Sequence, residues 1–371
     1  MLYFDHNSTT PLAPEVADVY AASLRDLYGN PSSTHRAGQF ARQALEQSRR
    51  TIAGVLGVSP AEIVFTSGGT ESNNLAILGS PKPVHAVTLA MEHPAVLEPF
   101  RRLEQQGVEV TYVKNPDAVI GAIRDTTSLV SIMHANNETG VVHSLAEIAR
   151  AVALRRAAGQ AIYLHSDGVQ AFGKIPVDLS GIDLYSLSAH KIFGPKGIGA
   201  LFVRKGTPVE RIQFGGKHER ERRPGTENVP ATVAFARAAE LAAPMPDDLR
   251  NGFEAQILRR VPEVHVNAGD RTRLPNTSNI LFRGVSAEAL VIALDMRQMA
   301  VSTGAACSSG SLEPSHVLLA MGLTGDEARS SIRFSFSRYN TASEVAALAD
   351  AVGESVEKLR QRHAQEARLA G

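Results

Sequence analysis

The sequence has a single cysteine, Cys307, no tryptophan, and only 5% aromatic residues among its 371. One cysteine excludes an internal disulfide and a zinc site built from several thiolates of one chain. No apolar run approaches the roughly 18 residues of a membrane span. The opening Met1-Leu2-Tyr3-Phe4-Asp5-His6 has neither a basic leader nor an apolar signal-peptide core. A cytoplasmic protein without membrane contact is the expectation. Charge of one sign is also lacking. Basic and acidic residues balance at 38 each, so the basic surplus that non-specific nucleic-acid binding requires is missing and no direct nucleic-acid partner is expected. What the chain does have is a 43% apolar fraction, ample for a buried core and incompatible with disorder.

Short apolar runs of β type alternate with amphipathic stretches from Ile63 to Val203. Strands are expected at Ile63–Thr66, His85–Ala90, Val108–Val113, Leu129–Met133, Ile162–Ser166, Leu184–Leu187 and Ile198–Val203. Several lack polar alternation, as strands covered on both faces should. Helical periods lie between many of them, including 144–158, so the rhythm is that of an α/β domain with a mostly parallel sheet. Further helices are expected at 36–56, at 229–243 up to Pro244 and Pro246, and after a capping box from Thr341 to Glu344. Strands are also expected at 279–282 and 332–335, and the polar tail after Arg360 is expected to fray. The Pro-flanked stretch is the candidate boundary. It gives a large domain, 14–246, and a smaller α+β domain of 1–13 plus 247–371.

Five motifs sit just past expected strands, where open α/β sheets bind ligands. Thr66-Ser67-Gly68-Gly69-Thr70-Glu71-Ser72-Asn73-Asn74 opens a helix after a strand, and its glycines would let backbone N–H groups approach an anion. Met91-Glu92-His93-Pro94 places a histidine at a helix start. Asn136-Asn137-Glu138-Thr139-Gly140 offers amide side chains. His165-Ser166-Asp167-Gly168-Val169-Gln170 ends a strand with a carboxylate able to hold a pyridine nitrogen. Ser186-Leu187-Ser188-Ala189-His190-Lys191 presents a lysine before a Gly-rich turn, a candidate imine-forming amine. Each has a plainer reading alone: an ordinary turn, a solvated lysine, a helix-capping aspartate, a buried histidine without chemistry. Convergence on one rim is what argues for a site. The sole cysteine stands apart, in Gly304-Ala305-Ala306-Cys307-Ser308-Ser309-Gly310-Ser311. Structural cysteines favour apolar surroundings, and this small-residue setting suits an accessible, mobile thiol.

Taken together, these residues resemble the NifS/IscS-type cysteine desulfurases of the aminotransferase class V, fold type I group. The likeness runs from Tyr3-Phe4-Asp5 and Thr9-Thr10-Pro11 through Gly29-Asn30-Pro31, Gly215-Gly216-Lys217-His218-Glu219-Arg220 and Arg223-Pro224-Gly225-Thr226 to Ser331-Ile332-Arg333-Phe334-Ser335. The resemblance implies pyridoxal 5'-phosphate (PLP) bound to Lys191. Asp167 would then partner the pyridine nitrogen, Gln170 the phenolic oxygen, and His93 would stack on the ring. Gly69, Thr70, Ser188 and His190 would form the phosphate side, and Thr226 would reach the other subunit's cofactor in a homodimer. Asn137 and Arg333 would hold the carboxylate of L-cysteine, and Cys307 would take the sulfur as a persulfide. An acceptor such as a U-type Fe–S scaffold would receive it. Gly69 stands where the family usually has Ala, and Ala189 where it has Gly. Two rivals follow from the same residues: a PLP enzyme of different reaction, such as selenocysteine lysis or transamination, and a non-catalytic scaffold for sulfur-transfer partners.

Overall fold

The computed structural model describes residues 1–304 and 313–370, so Cys307 and the rest of 305–312 lie outside the described residues. The chain forms two units, one of Thr10–Ala135 with His143–Ala243, the other of Met1–Thr9, Asn136–Val142 and Pro244–Gly371.

The unit that begins at Thr10 is built on a seven-stranded sheet. Its order is Ile63–Thr66, Gly199–Val203, Leu184–Ser188, Tyr163–Asp167, Thr127–Ser131, His85–Leu89 and Glu109–Val113. The last five are mutually parallel, and Gly199–Val203 runs against both of its neighbours. Strand Ile63–Thr66 therefore points the same way as Leu184–Ser188. Every residue of Ile63–Thr66, His85–Leu89, Leu184–Ser188 and Gly199–Val203 is buried, which is why their sequences carry apolar residues without alternation.

Strand positions follow the sequence reading with small shifts. The largest is at Leu129–Met133, where the strand is Thr127–Ser131. Met133 is apolar and buried, but its amide donates to the Glu92 carboxylate at 2.6 Å rather than to a neighbouring strand. Helix Arg36–Leu56 stands as read, closed by Gly57 in the left-handed region at φ 67°. The helices expected at 144–158 and 229–243 occupy Leu145–Ala157 and Val229–Leu241.

The second unit holds a three-stranded antiparallel sheet, Ser331–Ser335, Thr277–Phe282 and Val264–Val266. A short parallel pair joins Leu2–Tyr3 to Met299–Ala300. Its core is largely aliphatic around a cluster of phenylalanines: Phe253 lies 4.7 Å from Phe334 and 5.4 Å from Phe336, ring centre to ring centre, and Phe4 and Phe282 pack with them. The capping box is present, with the Thr341 amide donating to Glu344 and the Glu344 amide to Thr341 Oγ1. The helix it precedes continues to Ala370, so the expected fraying after Arg360 is not seen in the backbone. Arg360 itself bonds the carbonyls of Pro262 and Arg283, tying the helix to its own unit.

Candidate active site

Four of the five strand-end motifs fall in the unit that begins at Thr10. Because strands 63–66, 85–89, 163–167 and 184–188 share one direction, their following residues share one edge of the sheet. The fifth, Asn136–Gly140, belongs to the other unit.

Asp167 closes its strand and is 7% exposed. Its Oδ1 accepts from the Val169 amide at 2.9 Å and its Oδ2 from Asn73 Nδ2 at 2.7 Å. Around it lie Glu92, Tyr185 and His134. Burial pushes Glu92 and Tyr185 well up and His134 down to about 4. His134 donates its amide to the Asp167 carbonyl and shares a 2.8 Å hydrogen bond between Nδ1 and the Tyr185 hydroxyl. Gly168 is required here, since a Cβ would fall within the Tyr185 ring. Gln170 Oε1 accepts from Lys174 Nζ at 2.6 Å. Lysine only donates, so this end of the amide is fixed as the oxygen.

Lys191 lies in the short turn Ala189–Lys191 directly after Leu184–Ser188. Thr10 latches this turn from both sides. Its amide and hydroxyl donate to the His190 carbonyl at 3.0 and 2.9 Å, and its Oγ1 accepts from the Phe193 amide at 2.8 Å. Phe193 sits at φ 67°, an unusual value for a non-glycine residue, and the latch supports it. Gly194 leaves room for Ala189, whose Cβ would lie 2.9 Å from any added Cβ. The pair thus accommodates alanine where the family usually has glycine. Burial, then the charges of Lys191, Lys196 and Lys174, push His190 down to about 4.

Ser188 is 2% exposed, and its Oγ has no hydrogen-bond partner among the described residues. The glycine turn flanks it: a Cβ on Gly68 would meet only that Oγ, at 3.9 Å. Thr70 is exposed in the first turn of helix Gly69–Leu78, whose N-terminus favours an anion. Gly69 is confined on its other side, because a Cβ would stand 2.6 Å from Val169 Cγ2. His93 caps helix Pro94–Glu104, and its Nδ1 accepts from the Ala95 amide at 3.0 Å. In the neutral ring that contact leaves the proton on Nε2. Thr226 is exposed after Gly225.

In the other unit, Arg333 is 2% exposed on strand Ser331–Ser335. Its Nη1 donates to the Asn137 carbonyl at 3.0 Å, and its Nη2 to Asp5 Oδ1 and Ser8 Oγ at 2.7 Å each. Arg333 Nε is buried without a partner among the described residues. The sequence reading gave Asn137 and Arg333 to a substrate carboxylate; here they touch through the Asn137 backbone carbonyl. It assigned nothing to Asn73, Thr10, Glu92 or Asp5. Asn73 and Glu92 stand inside quoted motifs, but nothing local marks which of their neighbours they serve.

The residues suit pyridoxal phosphate. A buried carboxylate, a buried hydroxyl without a partner among the described residues beside Gly68, and a lysine after the neighbouring strand are groups of the kind such a cofactor needs. Comparison with known proteins agrees. Residues 2–348 match the family model described as aminotransferase class-V. A cysteine desulfurase IscS from Dictyoglomus turgidum is 42% identical, over 97% of this chain and 95% of that protein. A cysteine desulfurase from Trichormus azollae is 43% identical, over 97% and 94%. Among solved structures, a NifS-like protein superposes with a TM-score of 0.88 at 34% identity, covering 96% of this chain and 99% of that one. A structure of SspA in complex with cysteine gives 0.81 at 35% identity, covering 92% and 100%. With its fold, its strand-end residues and these likenesses in agreement, the chain belongs to the aminotransferase class-V family of pyridoxal-phosphate enzymes.

Proposed function

We propose that the protein is a cysteine desulfurase, converting L-cysteine to L-alanine and retaining the sulfur on Cys307 as a persulfide for an acceptor protein. The observation that carries this reading is Asp167, a buried carboxylate with both oxygens tied by N–H donors, one strand away from the Lys191 turn. Such a group serves a cationic ring nitrogen. Bound pyridoxal phosphate supplies an electron sink for the electrons left at the substrate Cα.

The residues divide the remaining work. Lys191 would carry the cofactor until substrate arrives, and its freed amine would then move the Cα proton. Asp167 would keep the ring nitrogen protonated, and Gln170 would present its amide N–H to the phenolic oxygen. Gly69, Thr70, Ser188 and His190 would hold the phosphate, with Thr226 contributed by the second subunit of a homodimer. His190 is a neutral donor in that role, since its proton affinity is low. His93 would stack on the ring and pass a proton through Nε2. Arg333 and Asn137 would hold the substrate carboxylate, for which a planar guanidinium fork is suited. Cys307, as thiolate, would attack the substrate sulfur. The S–C bond breaks, its electron pair and a proton complete alanine, and the S–S bond forms on the enzyme. A U-type scaffold is a chemically suitable acceptor, and a cytoplasmic setting belongs to the same proposal.

Incubation with cysteine tests it. The wild-type protein should gain the mass of one or more sulfur atoms, removable by reductant and located on the Cys307 peptide. Cys307→Ser should bind pyridoxal phosphate and cysteine yet release little alanine, because a hydroxyl is a poor sulfur nucleophile. If that variant makes alanine and sulfide as fast as wild type, a lyase without a nucleophilic thiol replaces this reading.

A further inference from the structure

Asn73 lies within helix Gly69–Leu78, one turn after its first residue, and is 1% exposed. Its Nδ2 donates to Asp167 Oδ2 at 2.7 Å. Its own Oδ1 is buried and has no partner among the described residues. An unsatisfied buried oxygen costs stability that a leucine of similar size would not incur. Turning the amide over would not cure this, because it would set Oδ1 against a carboxylate oxygen. The position therefore keeps its donor in spite of its acceptor.

The surroundings show what the donor accomplishes. Glu92, Tyr185 and His134 lie beside Asp167; burial raises the first two and lowers His134 to about 4, so none of the three offers it a positive charge near neutral pH. His134 reaches only the Asp167 carbonyl, and the Val169 amide ties only Oδ1. Oδ2 is tied by Asn73. We propose that Asn73 is a positioning residue for the cofactor, fixing the Asp167 carboxylate in one rotamer so that it can hold a protonated ring nitrogen. This rests on the reading of Asp167 as the ring-nitrogen partner. Without Asn73, Oδ2 loses its tie and the carboxylate would be free to turn, weakening its hold on a protonated ring nitrogen.

The test uses the cofactor-loaded protein and two readouts other than turnover: the pH midpoint of its visible absorbance, and the rate of cofactor loss on dialysis. Asn73→Leu should retain wild-type far-UV circular dichroism, lose cofactor about tenfold faster as befits one hydrogen bond to a charged group, and shift the midpoint in the same direction as Asp167→Asn but by less. Should the leucine variant fail to fold, Asn73→Ala is measured in the same way. A midpoint and a loss rate equal to wild type, with Asp167→Asn moving both, would leave Asn73 a packing residue and overturn the proposal. If Asp167→Asn itself moves neither, the ring-nitrogen reading is what has failed.

Discussion

Arg333 is held almost completely by residues of its own unit. Two of its three nitrogens already bond Asp5, Ser8 and the Asn137 carbonyl, while Nε is buried without a partner among the described residues. Asp5 also holds the guanidinium in place, so a substrate carboxylate would meet a group with little freedom left to lose. Arg333→Ala should raise the KM for cysteine about ten- to a hundred-fold, the worth of a charge-assisted bond of roughly 1.5–3 kcal/mol. Arg333→Lys should fall between, since lysine keeps the charge but not the fork. Cysteamine, which lacks the carboxylate, serves as control: its binding should be the same in all three proteins. A KM for cysteine unaffected by either substitution would remove Arg333 from the site.

Among the elements, the turn ahead of Thr226 is the most constrained. Glu219, Arg220 and Glu221 follow one another at φ 44°, 57° and 66°, and a left-handed non-glycine residue costs roughly 1–2 kcal/mol. The offsetting interaction is a buried fork. Arg49 donates through Nη1 and Nη2 to the two Glu219 oxygens at 2.7 Å each, and Oε2 also accepts from the Phe65 amide at 2.8 Å. Arg49 in turn reaches the Ile63 carbonyl, so helix, strand and turn are fastened at one point. Glu219→Gln should cost about 3–5 kcal/mol, because it leaves a buried guanidinium short of its counter-charge. Urea denaturation measures this, and limited proteolysis should find new cleavage between residues 215 and 228. An unaltered midpoint would mean the turn holds without the ion pair.

For the whole molecule, the proposed homodimer makes a prediction that no single chain can meet. If Thr226 serves the cofactor of the other subunit, Lys191→Ala and Thr226→Ala damage the same site from different chains. Each homodimer should be impaired. A mixed dimer should contain one site with both lesions and one intact site. Co-expression of the two variants should therefore recover activity that neither has alone. Different affinity tags on the two variants, purified in tandem, check that mixed dimers have formed, and if they form without recovered activity, sites are not shared between subunits.

How much of this was legible in the sequence depends on the range of the interaction. Strands 63–66, 85–89 and 199–203 could be read because both of their faces are buried, which favours mostly apolar residues without a polar face. Helix 36–56 could be read from its period. The strand-end motifs could be grouped because strands of one direction must deliver their following residues to one edge. The sequence by itself thus determined the α/β architecture, the family resemblance and the residues at the sheet edge. Only the tertiary structure decided that Asn73 ties Asp167, that Thr10 latches the Lys191 turn, that Arg49 holds Glu219, and that Asn136–Val142 joins the two chain ends in one unit. These pairings join residues far apart in the chain. A buried donor takes whichever acceptor the fold brings within about 3 Å, and that choice leaves no periodic mark on the sequence.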